Sequence, residues 1–443
     1  MRQADNLDRG FRVHRSERRR RPSTRNREAP ILHPHVSTAS RDPRHAIRPV
    51  FLLISIPLLT GCGGEAGASS GAWAGSVDTL PSGQVVVFNP DQPLWSEDEA
   101  WTVTEDLRIG VLDDPGPYEF AQINGLDVDA LGRIWVLEGQ AREIRVFDAD
   151  GTHVRTVGGE GGGPGEFNQP AHAQFGPDGR LWVVDPSNNR ISVVDTTGAF
   201  VESHRMEGGF VIFPWPGGFD VEGNYYLPIP RFDDGDFSVG LVRHGPGLTP
   251  LDTLERPSDP VERDAFELRD DEGRSRIVAS VPFSPGFRIT LSPQGTQWGL
   301  FTGEYRLFEL SRGGDTLRTI RKAFDPLPVT SEDREEAREQ LEWFTEQGGK
   351  IDLSRVPDTK PPAARFIVDD DGRVWVARTS DLPDGQLWDV FAPDGRFLGP
   401  VRLPVPMQTI SRVRDGYIYG ITRDELEVQY VVRARIEEGA NGS

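Results

Sequence analysis

Gly176-Pro177-Asp178-Gly179-Arg180-Leu181-Trp182-Val183 packs a strand end, a turn and a new strand into eight residues. Gly179 supplies the positive φ that a tight hairpin needs. The unit recurs. Upstream stands Asp129-Ala130-Leu131-Gly132-Arg133-Ile134-Trp135-Val136. Downstream stand Glu222-Gly223-Asn224-Tyr225-Tyr226, Pro293-Gln294-Gly295-Thr296-Gln297-Trp298, Asp370-Asp371-Gly372-Arg373-Val374-Trp375-Val376 and Asp415-Gly416-Tyr417-Ile418-Tyr419. Trp135, Trp182, Tyr226, Trp298, Trp375 and Tyr419 therefore occupy one repeat position, three residues after the glycine. With aromatics at 9 % of the chain, chance does not place six rings there. Each ring can fill the gap between neighbouring sheets at low entropic cost, which makes it a core residue.

The turn glycines are spaced 47, 44, 72, 77 and 44 residues apart. A base period near 45 is that of a four-stranded propeller blade. Second turns at Asp150-Gly151, Gly198 and Asp394-Gly395 divide each unit into strands a–b and c–d. The fold expected is all-β: a six-bladed propeller of four-stranded antiparallel blades over residues 81–443. Two long spacings mark insertions, 256–282 and 322–362. The first is charged and Pro-bounded and reads as a surface loop. The second holds a helix, with Thr330 as cap, Glu332 and Asp333 in the first turn and Gly348 at the end. Ala337, Leu341 and Phe344 share one face of it, and it is expected to cross a mouth of the propeller. The sixth blade lacks a fourth strand. Since an open edge invites aggregation, Gln84 to Phe88 or Leu107 to Val111 is expected to supply it.

The second unit resembles the NHL-repeat propellers. Gly158-Gly159-Glu160-Gly161-Gly162-Gly163-Pro164-Gly165-Glu166-Phe167 opens it; Pro170, Asp178-Gly179, Trp182-Val183-Val184-Asp185 and Asn188-Asn189-Arg190-Ile191 follow. The first unit has Glu138 in place of the aspartate and lacks the Asn-Arg pair. The others keep only the turn and the ring. The Gly-rich run lacks the Gly-Lys-Ser/Thr ending of a phosphate loop, so it reads as an inter-blade connection. The chain as a whole resembles bacterial six-bladed propeller lipoproteins of unassigned function. That resemblance implies a fold, not an activity.

Pro49 to Leu59 is an apolar run of eleven residues, too short for the roughly 20 that span a bilayer. Behind Arg44 and Arg48 it has the length of a signal-peptide core. Leu59-Thr60-Gly61-Cys62-Gly63 then resembles a lipobox, with the sole cysteine, Cys62, at the lipidated position. Gly63, by the same resemblance, favours the outer membrane. Residues 62–80 read as a flexible tether, rich in Gly, Ala and Ser over Gly63 to Gly75. Residues 1–61 are an Arg-rich extension plus signal; Val36 is a candidate true start, which would make 1–35 a mis-assigned leader.

Charge is divided along the chain. Residues 1–61 carry +8, whereas the other 382 carry 36 basic and 64 acidic groups, a net −28. A body so acidic repels phosphate backbones, which argues against nucleic acid as a partner. It also leaves the lipid anchor as the sole membrane attachment. One cysteine excludes a disulfide framework and a Cys-based zinc site. A monomer is expected.

Propeller sites lie where the first strands of the blades converge. Seven residues before each turn glycine stand Gly125, His172, Pro216, Arg288, Arg365 and Thr409; two further on stand Asp127, Gln174, Gly218, Thr290, Ile367 and Ser411. The alternate positions are mostly apolar, so the period of two turns this polar set toward the channel. His172, Arg288, Arg365, Asp127 and Gln174 form the candidate site, and two guanidinium groups with an imidazole suit a carboxylate or phosphate. The competing reading is that they pair with Asp127 and other acids as structural ties. By family analogy a metal-dependent lyase or lactonase-like hydrolase is the alternative, which would need a bound divalent ion such as calcium or zinc. Residues 62–443 hold only His153, His172, His204 and His244, of which His172 alone lies on a first strand, too few for a His-based zinc site. Asp369-Asp370-Asp371-Gly372 lacks the alternating ligands of a calcium loop and reads as a polar turn. No nucleophile elbow is present. The chain therefore reads as a binding module for a small anion or an envelope protein, needing no cofactor, with no catalytic residues assigned.

Overall fold

The computed structural model describes residues 73–113, 116–206, 214–233, 236–255, 264–269 and 276–439. They form a six-bladed β-propeller of four-stranded antiparallel blades. Blade 1 spans 123–158, blade 2 spans 172–205, blade 3 spans 218–254, blade 4 spans 287–322 and blade 5 spans 363–402. Blade 6 takes three strands from 409–437 and its fourth from Thr102–Ile109. The signal and lipobox expected over 1–61, with Cys62, lie outside the described residues.

The repeat rings are core. Trp135, Trp375 and Tyr226 are fully buried, and Trp298 and Tyr419 nearly so. Burying such a ring is worth roughly 3 kcal/mol. Each polar tip needs a partner once buried, and in blades 1, 3 and 5 an aspartate three residues before the turn glycine provides it. Asp129 accepts the backbone N–H groups of Leu131 and Arg133 on one oxygen and Trp135 Nε1 on the other, at 3.1 Å. Asp369 does the same for its own turn and for Trp375 Nε1, at 2.9 Å. Asp220 holds Tyr226 Oη, also at 2.9 Å. One carboxylate thus fixes turn and ring together. Blade 2 has Gly176 at this place, and Trp182 Nε1 has no partner among the described residues.

A second carboxylate shapes each early connection. Asp185, ending the second strand of blade 2, accepts the N–H groups of Asn168 and Gln169 at 3.0 and 2.9 Å. In blade 1, Glu138 takes Ala121, Gln122 and Ala141 in the same way. The Glu-for-Asp difference therefore preserves the interaction. The glycine run from Gly158 is an inter-blade loop, as expected. A Cβ on Gly158 would lie 2.4 Å from the buried ring of Phe167. Asn188 Nδ2 donates to the Gly161 carbonyl at 2.9 Å. Arg190 donates to the carbonyls of Gly162, Gly163 and Glu166.

Of the two expected closing segments, the later one closes the ring. Thr102–Ile109 pairs antiparallel with Gln429–Glu437, so the last blade joins strands from both ends of the fold. The earlier segment goes elsewhere. Val85–Asn89 pairs in parallel with Thr316–Lys322 of blade 4, and Ser76–Thr79 pairs back on it, giving a six-stranded sheet. Residues 62–80 are therefore not tether throughout. Val87 is fully buried, and Asn89 bridges to blade 5 by donating to the Gly395 carbonyl and accepting from Phe397 N.

The first insertion is not a plain loop. Its described residues contain a hairpin, Ala265–Arg269 with Arg276–Ser280, whose Phe266 and Ala279 are buried. Period-two alternation, Phe266 with Leu268 and Ile277 with Ala279, was outweighed in the sequence by the charges between. The second insertion holds two helices, α1 (Ser331–Gln340) and α2 (Glu342–Glu346), with the expected Thr330 cap completed by Asp333 as a capping box. Ala337, Leu341 and Phe344 are buried as one face. Leu341 and Phe344 pack on the hairpin's Phe266 and Ala279, so the two insertions share a small core of their own. That core, rather than the channel, is what the helix covers. Both insertions connect a fourth strand to the next first strand, so they rise from the same face of the propeller.

Candidate functional site

The channel is built from the first strand of each blade. The residues paired with the repeat rings line up as one level: Asp127 with Trp135, Gln174 with Trp182, Gly218 with Tyr226, Thr290 with Trp298, Ile367 with Trp375 and Arg412 with Tyr419. The sixth member is Arg412, not Ser411. Blade 6 turns through only Asp415 and Gly416, both at positive φ, and its strand is irregular between Ile410 and Arg412. Counting back from the glycine therefore lands one residue off.

Arg412 changes the character of this level. Its Nε and Nη2 reach the two oxygens of Asp127, each at 3.2 Å, and its Nη1 reaches Asp370 at 3.2 Å. Asp127 also accepts Val128 N and Phe175 N, both at 2.8 Å. It is fully committed and only 2 % exposed. Burial raises the Asp370 carboxyl, while the flanking Asp127 charge holds the Arg412 guanidinium firmly protonated. Gln174 is committed too: Oε1 accepts Phe219 N at 2.7 Å, across to blade 3. Asp127 and Gln174 are thus inter-blade ties rather than groups free for a ligand. The triad was invisible to a reading that placed Ser411 in the ring.

The next level, toward the face that carries the insertions, holds the cations. His172, Arg288 and Arg365 pair with Val184, Leu300 and Ala377, each two residues beyond the repeat ring. The structure therefore puts all three at one height, as the spacing predicts. Their states differ. His172 Nε2 is buried without a partner among the described residues. Burial drives its pKa down to about 4, against the opposing pull of Asp127. The imidazole is therefore neutral at pH 7 and adds a hydrogen-bonding atom, not a charge. Arg365 Nη1 pairs with Asp384 at 2.9 Å, while its Nε and Nη2 are buried and unpartnered. Gly385, at φ +80°, is what admits it, because a Cβ there would stand 2.5 Å from Arg365 Nη2. Arg288 is exposed and makes no hydrogen bond or ion pair with a described residue. Two guanidinium groups with spare donors and one neutral imidazole can accept an oxyanion.

Among the described residues, no three His, Cys, Asp or Glu side chains converge as a metal site would require. His153, His204 and His244 lie on third or fourth strands, away from the channel. Asp369, Asp370 and Asp371 are spent on their own turn, its ring and Arg412. No described helix is long and apolar enough to cross a membrane.

Residues 118–227 match the model of a family described as a 6-bladed beta-propeller. No curated protein matches the chain. Among solved structures, a protein from Bacteroides fragilis NCTC 9343 described as exported is 10 % identical, with 80 % of this chain and 100 % of that chain covered and a TM-score of 0.44. A catalytically inactive virginiamycin B lyase from Staphylococcus aureus, solved with quinupristin, is 11 % identical, with 76 % and 99 % covered and a TM-score of 0.37. A gluconolactonase from Xanthomonas campestris is 14 % identical, with 72 % and 88 % covered and a TM-score of 0.37. At these identities the likenesses carry nothing about activity.

Proposed function

We propose that this chain is an exported, envelope-anchored binding propeller whose ligand is a small organic anion held at the channel mouth. Cys62 is the proposed lipid anchor, and the folded body acts as a monomer. The observation that carries the ligand class is the pair of guanidinium groups at one level of the inner strands. Arg288 has no ion-pair or hydrogen-bond partner among the described residues, and Arg365 has two buried donors unspent among them, in a body whose net charge is strongly negative. Buried donors left without acceptors are costly, roughly 1–3 kcal/mol each, unless something supplies the acceptor. A carboxylate or phosphate does so, and His172 Nε2 offers a neutral contact beside it. The Asp127–Arg412–Asp370 triad floors the site one level below.

The test is a calorimetric screen of small carboxylates and phosphate esters against the wild type and an Arg288→Ala/Arg365→Ala double variant. At least one anion is expected to bind the wild type and to lose tenfold or more in the variant, since each charge-assisted contact is worth about 1.5–3 kcal/mol. Indifference of the variant to every anion that binds would sink the reading.

A further inference from the structure

A second concave site lies beside blade 4, on the face that carries the two insertions. It encloses about 500 Å³, within the roughly 300–1,000 Å³ typical of small-ligand pockets. Its walls are Phe88 and Arg321 from the parallel strand pair, Phe283 from the segment between the first insertion and blade 4, Phe324 from the second insertion, and prolines that include Pro285 and Pro361. Prolines hold their backbone with little freedom to collapse into the space. Neither Arg288 nor Arg365 lines it.

Three features set this cavity apart from ordinary surface. Phe88 is 48 % exposed, though it sits in a strand that buries its neighbour Val87 completely. Phe283 adopts φ +59°, a left-handed conformation that a bulky aromatic residue takes only when its surroundings impose it. The charges facing the cavity are also unequal. Lys322 is matched by Asp91 and Asp389, Lys360 by Asp333, and Glu304 by Arg306. Arg321 alone among the charged residues of the lining makes no ion pair or hydrogen bond through its side chain with a described residue. It is the register partner of Phe88, so ring and guanidinium project from the same face of the sheet.

We propose that this cavity is a second binding site, for a small flat apolar anion such as an aromatic carboxylate. The rings and prolines take the apolar body, and Arg321 takes the carboxylate. A guanidinium beside aromatic walls suits such a ligand, because it pairs with the acid group and stacks on the ring plane. The site stands independently of the channel mouth.

The test titrates 2-naphthoate, and the neutral 2-naphthalenemethanol as control, into the purified chain by calorimetry. Phe88 and Arg321 are exposed, so Phe88→Ala and Arg321→Gln leave the fold intact; unfolding midpoints check this. One saturable naphthoate site is expected. Arg321→Gln should weaken it tenfold or more and remove its preference over the alcohol, and Phe88→Ala should weaken both probes about fivefold. The Arg288→Ala/Arg365→Ala variant should bind naphthoate as the wild type does. The proposal is overturned by the absence of saturable binding at millimolar naphthoate, by binding that ignores Arg321→Gln and Phe88→Ala, or by binding lost in the channel variant instead.

Discussion

His172 illustrates how much a single position owes to burial. The alternation of polar and apolar residues along a first strand assigns the imidazole its side of the sheet, since side-chain period is a local property, and its register partner is Val184. Its charge state was not local. Burial and the nearby Arg412 disfavour the imidazolium, and the pull of Asp127 does not offset them, so the folded-state pKa falls to about 4 from 6.5. The consequence for stability has a definite sign. Above about pH 6.5 the ring is neutral folded and unfolded alike. Between 6.5 and 4 the unfolded chain takes up a proton that the folded chain refuses, so stability is lost as pH falls. His172→Gln should therefore lose less stability than the wild type between pH 7 and pH 4.5, by on the order of 2 kcal/mol. Urea midpoints at the two pH values measure the difference, and a ring titration in the folded protein by NMR checks the cause. A midpoint near 6.5 in that titration would contradict the assignment.

At the scale of strands, the repeat was legible and its closure was not. A turn glycine followed by a ring is written in a few adjacent residues, and all six units were found from them. The aspartate that clamps turn to ring was present in the same window at Asp129, Asp220 and Asp369, yet its second role appears only once the strand folds back. The closing strand pairs residues more than 300 positions apart, and two N-terminal apolar stretches met its local requirements equally. The choice lies in partners. Val103 and Ile109 are buried in the seam beside blade 6, whereas Val87 and Asn89 meet blades 4 and 5. The two segments should behave differently when removed. Deleting 74–89 uncovers the outer strand of blade 4 but leaves the ring closed, so cooperative thermal unfolding should persist at a lower midpoint. Deleting 102–109 exposes the edge of Gln429–Glu437 and opens the ring, so cooperative unfolding should be lost and the protein should aggregate. Near-UV circular dichroism and light scattering on heating distinguish the two outcomes. An equal response to both deletions would mean that Thr102–Ile109 is not the closure.

At the scale of the molecule, the seam is held by charge as well as by strand pairing. Arg412 belongs to blade 6, Asp127 to blade 1 and Asp370 to the first turn of blade 5, so one guanidinium ties three blades across the joint that Thr102–Ile109 closes. Burial removes these groups from water, and the arrangement is tolerable because the Asp127 pairing is bidentate and both of its oxygens have backbone donors as well. In a body with a large negative charge, removing the cation leaves the Asp127 and Asp370 carboxylates facing each other, with only the longer Arg414 contact to Asp370, at 3.8 Å, to offset them. Arg412→Met should therefore cost about 3–5 kcal/mol of unfolding free energy, the range for breaking a buried pair. Asp370→Asn, which leaves the Asp127 bond intact, should cost about 1–2 kcal/mol. Because the losses share one partner, adding Asp370→Asn to Arg412→Met should recover stability rather than lose more, the sign that distinguishes a coupled network from independent contacts. Raised salt should leave these differences nearly unchanged, since buried pairs are weakly screened. Urea unfolding of the three variants at low and high salt gives all of these quantities. An Arg412→Met protein within about 1 kcal/mol of wild type would show that strand pairing alone closes the ring.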